Sequence, residues 1–445
     1  MSHAGESELT SYKEEIMAVS ERSSAHRGPI RVSVNGRHFV DASGEPFFWL
    51  GDTAWPLFTS YSREDAEEYL SDRARKGFTV IQGVLAWGDP DPNVSLGGTP
   101  PGPNYAGHRP WHDSPAEPNE AFFGHVDYLI KFAAERGLMM GVLPTWGYNV
   151  NNARAFNEEN AYVYGRWLGA RYKEQPNMVW INGGDREPIG FEAVYRALAV
   201  GLREGDGGAH LITYHPCGWR SSSYYFHQED WLDFNMIETW TAWPQVYPAI
   251  RADYGMLPVK PVVLGEGAYE NGPEYPQGPI TPLVVRRQAW WTFMAGGFFT
   301  YGQNQMWRME PGWTSTFDTP GAGHMTQFKV IATSRPWWQM IPDQGLYAGG
   351  VSSERTLNAA LRAVDRSCAM LYLSSQCHVL IYLDRIAMPK VRATWVNPQN
   401  GETLDGGLYD TGNGVEGSTF PIWTTQWFSV PPFWEDAVLI LDGVE

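Results

Sequence analysis

The sequence predicts an α/β protein: a (β/α)8 TIM barrel with an N-terminal β-hairpin and a C-terminal antiparallel β-sandwich. Three observations carry that expectation. Eight apolar runs of strand length, counted from Phe47, alternate with helical segments or long loops. Their interiors are continuously apolar, as in a parallel sheet covered on both faces. From Leu346 onward the segments become short, alternating and separated by Gly, Asn and Asp turns. A doubly wound open sheet competes, yet no G-x-G-x-x-G turn follows the first strand and the chain has no P-loop lysine motif.

The elements follow in order. Residues 1–30 read as a polar, partly flexible N-terminal segment, residues 31–344 as the barrel with its hairpin, and residues 345–445 as the sandwich. Asn35-Gly36 and Ser43-Gly44 mark hairpin turns feeding a more buried strand, Phe47 to Gly51. "SREDAEEYLSDRARKGF" opens on an N-cap serine with an acidic first turn and stops at Lys76-Gly77, as a helix should. The strands "TVIQGVLAW", "LMMGVLPTW" and "NMVWINGGD" alternate with the helices "NEAFFGHVDYLIKFAAERG" and "NEENAYVYGRWLGARYKEQP". A helix near Phe191 to Arg203, the strands "LITYHP", "FNMIETW" and "KPVVLGEGAY", a helix from Pro282 to Ala295 and the strand "GFFTYGQNQMW" complete the eight units. The loop "GDPDPNVSLGGTPPGPNYAGHRPWHDSPAEP" after strand two is long for a compact domain, and is expected to wall a cleft.

Composition bounds the function. With 445 residues, the chain exceeds one ordinary core of about 100–200 residues but suits a barrel plus a smaller module. Apolar residues at 43% and charged ones at 19% indicate a packed globular protein. A net charge of -17 argues against nucleic acid or an anionic membrane surface as partner. No apolar run reaches about 18 residues, and the first residues lack the basic start and apolar core of a signal peptide, so a cytoplasmic protein is expected. Asn93-Val94-Ser95 is then a chance sequon. Cys217, Cys368 and Cys377 form no metal spacing and are expected as free thiols, although Cys368 and Cys377 could meet across a hairpin. The 21 Trp, 22 Tyr and 20 Phe stand out, because many tryptophans follow apolar runs, where an indole can stack on the C–H face of a sugar. Core packing is the other use of such rings. The oligomeric state is not readable.

In such a barrel, reactive groups project from the C-terminal strand ends. Those ends supply Asp52, Gln82, Trp87, Trp146, Asn182, Asp185, Glu187, Tyr214, His215, Glu238, Trp240, Glu266, Tyr301, Gln303 and Asn304. Asp185 after strand four and Glu266 after strand seven would face each other across the barrel mouth. Two carboxyl groups across a sugar-sized gap are what glycoside hydrolysis requires, about 5–5.5 Å apart for retention and about 6.5–9.5 Å for inversion. The shorter separation is expected. Each could instead be a salt-bridge partner or a helix cap. Glu187 competes with Asp185 for the acid role, and Glu238 reads better as orienting Glu266 or touching a substrate hydroxyl. The two glycines before Asp185 would leave room for substrate near the backbone. Asp52, Asn182, His215 and Gln303 are candidates for substrate recognition, with Trp55, Trp87, Trp146, Trp240 and Trp307 as stacking walls. His108, His112, Asp113 and His215 lack the paired spacing of a zinc helix, so neither a metal nor a cofactor is expected. Serine chemistry lacks its G-x-S-x-G elbow.

"FFWLGDTAWPLF", "NMVWINGGD", "KPVVLGEGAYE", "RRQAWWTFMAGGFFTYGQNQMW" and the closing β-module together resemble the apiosidase-like glycoside hydrolases, family 140, over about residues 31–445. The resemblance implies a clan A barrel, a retaining double displacement, Asp185 as acid/base and Glu266 as nucleophile. It thereby selects Asp185 over Glu187. The substrate implied is a β-linked apiose of plant oligosaccharides or glycosides. The strand-six end, "NMIETWTAWP", departs from the family pattern and leaves the sugar open. The alternatives are another glycosidase specificity (arabinofuranoside, galactofuranoside or pyranoside), a carbohydrate-binding barrel without turnover, and a metal-dependent lyase or isomerase.

Overall fold

The computed structural model describes residues 28–87, 101–273, 280–412 and 424–445. Residues 1–27 of the expected N-terminal segment (residues 1–30), the Asn93-Val94-Ser95 sequon and the first part of the long loop lie outside the described residues.

Three short antiparallel strands, β1 (Arg31–Val32), β2 (Phe39–Val40) and β3 (Pro46–Phe47), form the hairpin sheet. The strand expected over Phe47 to Gly51 is divided, because Phe47 pairs with Phe39 while Leu50 pairs with Phe299 in a different sheet. That second sheet contains β4 (Leu50–Thr53), β5 (Val80–Ala86), β6 (Met139–Thr145), β7 (Met178–Gly183), β8 (Ile212–His215), β9 (Arg220–Ser221), β10 (Asn235–Glu238), β11 (Val262–Glu266) and β12 (Phe298–Tyr301). Its order is β8-β7-β6-β5-β4-β12-β11-β10-β9, with β9 antiparallel to β10 and the eight other strands parallel to their neighbours. The ring closes where Asp233 donates its N–H to Ile212 O at 2.8 Å and Thr213 Oγ1 donates to Phe234 O at 2.6 Å. Every residue of β5 and β6 is buried, as continuous apolar runs require.

The helices are α1 (Arg63–Arg75), α2 (Glu120–Ala134), α3 (Gly147–Asn151), α4 (Glu158–Tyr172), α5 (Glu192–Asp206), α6 (Ser223–Phe226), α7 (Val246–Tyr254), α8 (Pro282–Met294), α9 (Asn304–Trp307) and α10 (Pro320–Ala332). Ser62 and Asp65 make the reciprocal capping box of α1, and Gly77 ends the turn after it at φ 84°. The end of the eighth strand run, expected as β, instead becomes α9, because the Gln303 side chain accepts from Met306 N and caps a helical turn. Helices α4 and α5, which flank β7, approach through glycines on both sides. A Cβ on Gly165 would lie 2.4 Å from Leu198 O, and one on Gly201 2.3 Å from Tyr162 O.

The C-terminal module contains β13 (Met340–Pro342), β14 (Tyr347–Gly349), β15 (Ala359–Ala363), β16 (Cys368–Leu373), β17 (His378–Tyr382), β18 (Lys390–Val396), β19 (Thr403–Asp410), β20 (Thr425–Ser429) and β21 (Ala437–Val444). They form two antiparallel sheets, β13-β15-β16-β21-β18-β19 and β14-β17-β20, around a core that includes Leu371, Val379, Trp395 and Phe428. The module and barrel share one apolar cluster, in which Trp290 of α8 stacks on Tyr372 of β16 at 5.6 Å. Beside it, Arg286 of α8 makes a two-pronged ion pair with Asp436, at 2.8 Å from Nε and 2.6 Å from Nη2. Cys217, Cys368 and Cys377 are free. No helix among the described residues is long and apolar enough to cross a membrane.

Candidate active site

A cavity of about 470 Å³ opens where the barrel strands end, lined by Trp55, Trp87, Trp146, Trp219, Trp240 and Trp307 with Asp185, Glu238, Glu266, Gly218 and Arg308. The five tryptophans expected as stacking walls all reach it. Four of the indoles form a chain: the ring centres of Trp55 and Trp146 are 5.2 Å apart, Trp87 and Trp146 5.0 Å, and Trp87 and Trp307 6.2 Å. Trp55, Trp87 and Trp146 are almost fully buried, whereas Trp219 and Trp240 are 62% and 45% exposed at the mouth.

Asp185 leaves β7 through three consecutive left-handed residues, Gly183 (φ 86°), Gly184 (φ 119°) and Asp185 itself (φ 53°). Gly184 donates its N–H to His215 O at 3.0 Å and accepts from Gly147 N at 3.1 Å, so the turn is tied to both neighbouring strand ends. The glycines make room for protein rather than for substrate. A Cβ on Gly183 would lie 2.5 Å from His215 O, and one on Gly184 2.5 Å from the Trp146 ring. Holding Asp185 itself at positive φ costs about 1–2 kcal/mol. Its carboxylate is 39% exposed, lies 3.6 Å from the Arg186 guanidinium, and is hydrogen-bonded to Glu238.

Glu266 ends β11, and the parallel register sets Glu238 of β10 directly beside it. Glu266 Oε2 lies 3.3 Å from His215 Nε2, and the Glu266 carboxylate accepts from the Tyr269 hydroxyl, which itself accepts from Trp55 Nε1 at 3.0 Å. Gln82 steadies the preceding peptide by donating to Gly265 O at 2.7 Å. Burial pushes the Glu238 carboxyl well above the ordinary carboxylate range, and the neighbouring charges of Glu266 and Asp185 push it further. Tyr269 is likewise raised by burial and by Glu266, so its phenol stays protonated and donates. His215, Glu238 and Glu266 are the group among the described residues whose donor atoms converge as metal ligands would, all within 4.8 Å of one another.

Three expected recognition residues stand elsewhere. Asp52 is fully buried against α1, with Oδ2 2.5 Å from Arg73 Nε and 2.8 Å from the Tyr69 hydroxyl. Asn182 donates from Nδ2 to Tyr195 O at 2.8 Å and accepts from Gly183 N, so its amide is used inside the wall. Gln303 caps α9 and donates to Gln305 Oε1 at 2.6 Å. None of the three lines the cavity, and the hydroxyl-recognition roles expected for them are withdrawn on this geometry. His215 is fully buried behind Glu266 rather than on the cavity lining. Glu187 pairs with Arg220 at 3.2 Å, away from the cavity. His108, His112 and Asp113 join no donor cluster among the described residues, and in the described part of the long loop Trp111 packs on Phe156 and Tyr164. Sequence reasoning missed Tyr269, Trp219 and Arg308. Tyr269 lies three residues beyond Glu266, and Trp219 sits in the loop after β8, so a search extended past the strand ends would have reached both.

The family model described as apiosidase-like, catalytic domain, matches residues 33–339. A model of a provisionally assigned collagen-binding domain of a collagenase matches residues 341–442. A glycoside hydrolase family 5 structure from Bacteroides vulgatus superposes with a TM-score of 0.83 at 26% identity, covering 94% of this chain and 93% of that one. A second structure, titled only as a glycoside hydrolase, gives 0.82 at 27% identity over 94% and 97%. A third from Bacteroides vulgatus, at 14% identity and a TM-score of 0.70 over 94% and 82%, shares the fold. None of the curated proteins matches the chain.

Proposed function

We propose, for a chain that belongs to the apiosidase-like catalytic-domain family, a retaining hydrolysis of a β-linked furanoside with apiose as the sugar. The coarser activity, glycoside hydrolysis, rests on the family and on the glycoside hydrolases of similar structure. The single observation that carries the mechanism is that Asp185 and Glu266 line one cavity from β7 and β11. Two strands separate them on one side of the ring and four on the other.

In this reading Glu266 attacks the anomeric carbon while Asp185 protonates the leaving oxygen. Asp185 then takes a proton from water as that water displaces Glu266. The Tyr269 hydroxyl orients the attacking carboxylate. The buried indoles exclude water and offer flat faces to the sugar. Glu238, hydrogen-bonded to Asp185 and paired in register with Glu266, fixes the place of the acid relative to the nucleophile in this reading.

The test is a panel of aryl apiosides, arabinofuranosides, galactofuranosides and pyranosides assayed side by side, with the first product anomer read by NMR. An apioside turned over to the retained anomer is expected. A hit on pyranosides alone removes the furanoside proposal, and an inverted first product removes the double displacement. Glu266→Gln is expected to lower kcat at least 10⁴-fold; unchanged turnover in that variant would remove the nucleophile assignment. EDTA is expected to leave activity intact, whereas loss of activity would favour a metal-dependent lyase or isomerase.

A further inference from the structure

The cluster of His215, Glu238 and Glu266 holds an arrangement that the hydrolytic mechanism does not use. His215 Nδ1 faces Pro216 O at 2.8 Å, and a carbonyl oxygen can only accept, so Nδ1 carries the hydrogen. In the neutral ring Nε2 is then a lone pair, and it lies 3.3 Å from Glu266 Oε2 without a hydrogen bond between them. Glu238 Oε2 adds a third oxygen or nitrogen atom to the group, 3.9 Å from His215 Nδ1. Neither His215 Nε2 nor Glu238 Oε2 has a hydrogen-bond partner among the described residues, and the two residues are 0% and 3% exposed. Buried polar atoms left this way are satisfied by a positive centre, a proton or a metal ion, held among them.

We propose that His215, Glu238 and Glu266 form a binding site for a borderline divalent cation, Zn²⁺, and that its occupancy switches the enzyme off. One imidazole nitrogen and two carboxylate oxygens are a donor set that zinc accepts, whereas Ca²⁺ and Mg²⁺ favour oxygen alone. The carbonyl bond on Nδ1 is the outer support that fixes the tautomer of zinc-ligating histidines. The donor atoms already lie within 4.8 Å of one another, and rotation of the two glutamate side chains brings them to zinc bonding distance of about 2.0–2.2 Å. The tryptophan-lined cavity supplies an entry path and space for water at the remaining coordination position. Asp185, Cys217 and Tyr269 also face this cluster, and the excess of carboxylates there favours a dication. Binding rests on the side-chain geometry alone. Inhibition rests additionally on Glu266 being the nucleophile, since a coordinated carboxylate cannot attack.

The experiment titrates Co²⁺, as a visible-absorbing stand-in for Zn²⁺, into the full chain, with Zn²⁺ displacing it. One equivalent is expected, and at least tenfold weaker binding in both His215→Ala and Glu238→Gln, each checked for folding by circular dichroism. If His215→Ala does not fold, Glu238→Gln decides alone. Absence of stoichiometric binding, or wild-type affinity in either folded variant, overturns the site; the latter result would point to ligands such as Cys217. Zn²⁺ is expected to inhibit competitively with substrate and reversibly with EDTA. Binding of one equivalent without inhibition leaves the site standing and overturns the switch together with the nucleophile assignment.

Discussion

Asp436→Asn is the perturbation whose cost the structure defines most fully. Asp436 and Arg286 have fully buried side chains, and the carboxylate receives two guanidinium bonds at 2.8 and 2.6 Å plus the Tyr372 hydroxyl at 2.6 Å. The amide keeps the shape and removes the charge, so Arg286 loses its buried counterion. Among the described residues Glu435, 56% exposed and 3.2 Å from Nη2, is then the carboxylate left to face it, with the His324 ring 3.0 Å from Nη1. Breaking one side of a buried pair costs about 3–5 kcal/mol. At about 2.1 cal/mol/K per residue, unfolding 445 residues in one transition carries an entropy near 0.9 kcal/mol/K, so Tm falls by about 3–5 °C. Urea denaturation followed by tryptophan fluorescence and by differential scanning calorimetry reads both quantities. The control is Arg286→Met with Asp436→Leu, which removes both charges and is expected to restore at least half of the loss. A Tm within 1 °C of wild type for Asp436→Asn, or a double variant no better than the single one, would refute the reasoning.

Four other outcomes are expected. Gly184→Ala drives a methyl into the Trp146 ring and strains a backbone at φ 119°, so kcat/KM on the best aryl glycoside drops at least tenfold in a protein that still folds. Tyr269→Phe removes a hydrogen bond to Glu266 and the acceptor of Trp55 Nε1, lowering kcat about 10- to 100-fold with KM little changed, as steady-state kinetics would record. Gly201→Ala collides with Tyr162 O and costs about 1–3 kcal/mol in urea denaturation. His125 is held neutral by burial, its pKa lowered to about 4. Its folded pKa is below its unfolded one, so the stabilisation is complete above pH 6.5 and is lost as pH falls toward 4. That loss is about 3 kcal/mol, and His125→Leu should flatten the urea midpoint between pH 7 and 4.5. His324, lowered to about 4 by burial and by Arg286, acts in the same direction.

The barrel was legible because its strands are buried on both faces, which writes long apolar runs into the chain, and because caps such as Ser62 and Gly77 punctuate them. Asp185 and Glu266 were legible for a related reason: each is a charge placed where such a run stops beside glycine. Asp52 and Asn182 were misread through strand parity. Successive side chains alternate between the barrel interior and the helix layer, and both residues fall on the helix side, where Arg73 and the Tyr195 carbonyl meet them. A list of strand-end residues cannot tell these faces apart. Gln303 was misread because the strand stops at Tyr301 and a helix cap follows. The pairing of Glu238 with Glu266 is a matter of register between β10 and β11, and the hydroxyl of Tyr269 reaches Glu266 by folding back. Neither relation is written in any local pattern.

The left-handed run at 183–185 bears on how this pocket can be re-engineered. Its three dihedrals and two tethers allow almost no substitution without moving Asp185, so diversity introduced there would mostly be lost to misplacement. Trp307 and Arg308 line the same cavity from the end of α9 on ordinary right-handed backbone. A focused library at those two positions can change which ligand the cavity accepts while Asp185 stays fixed.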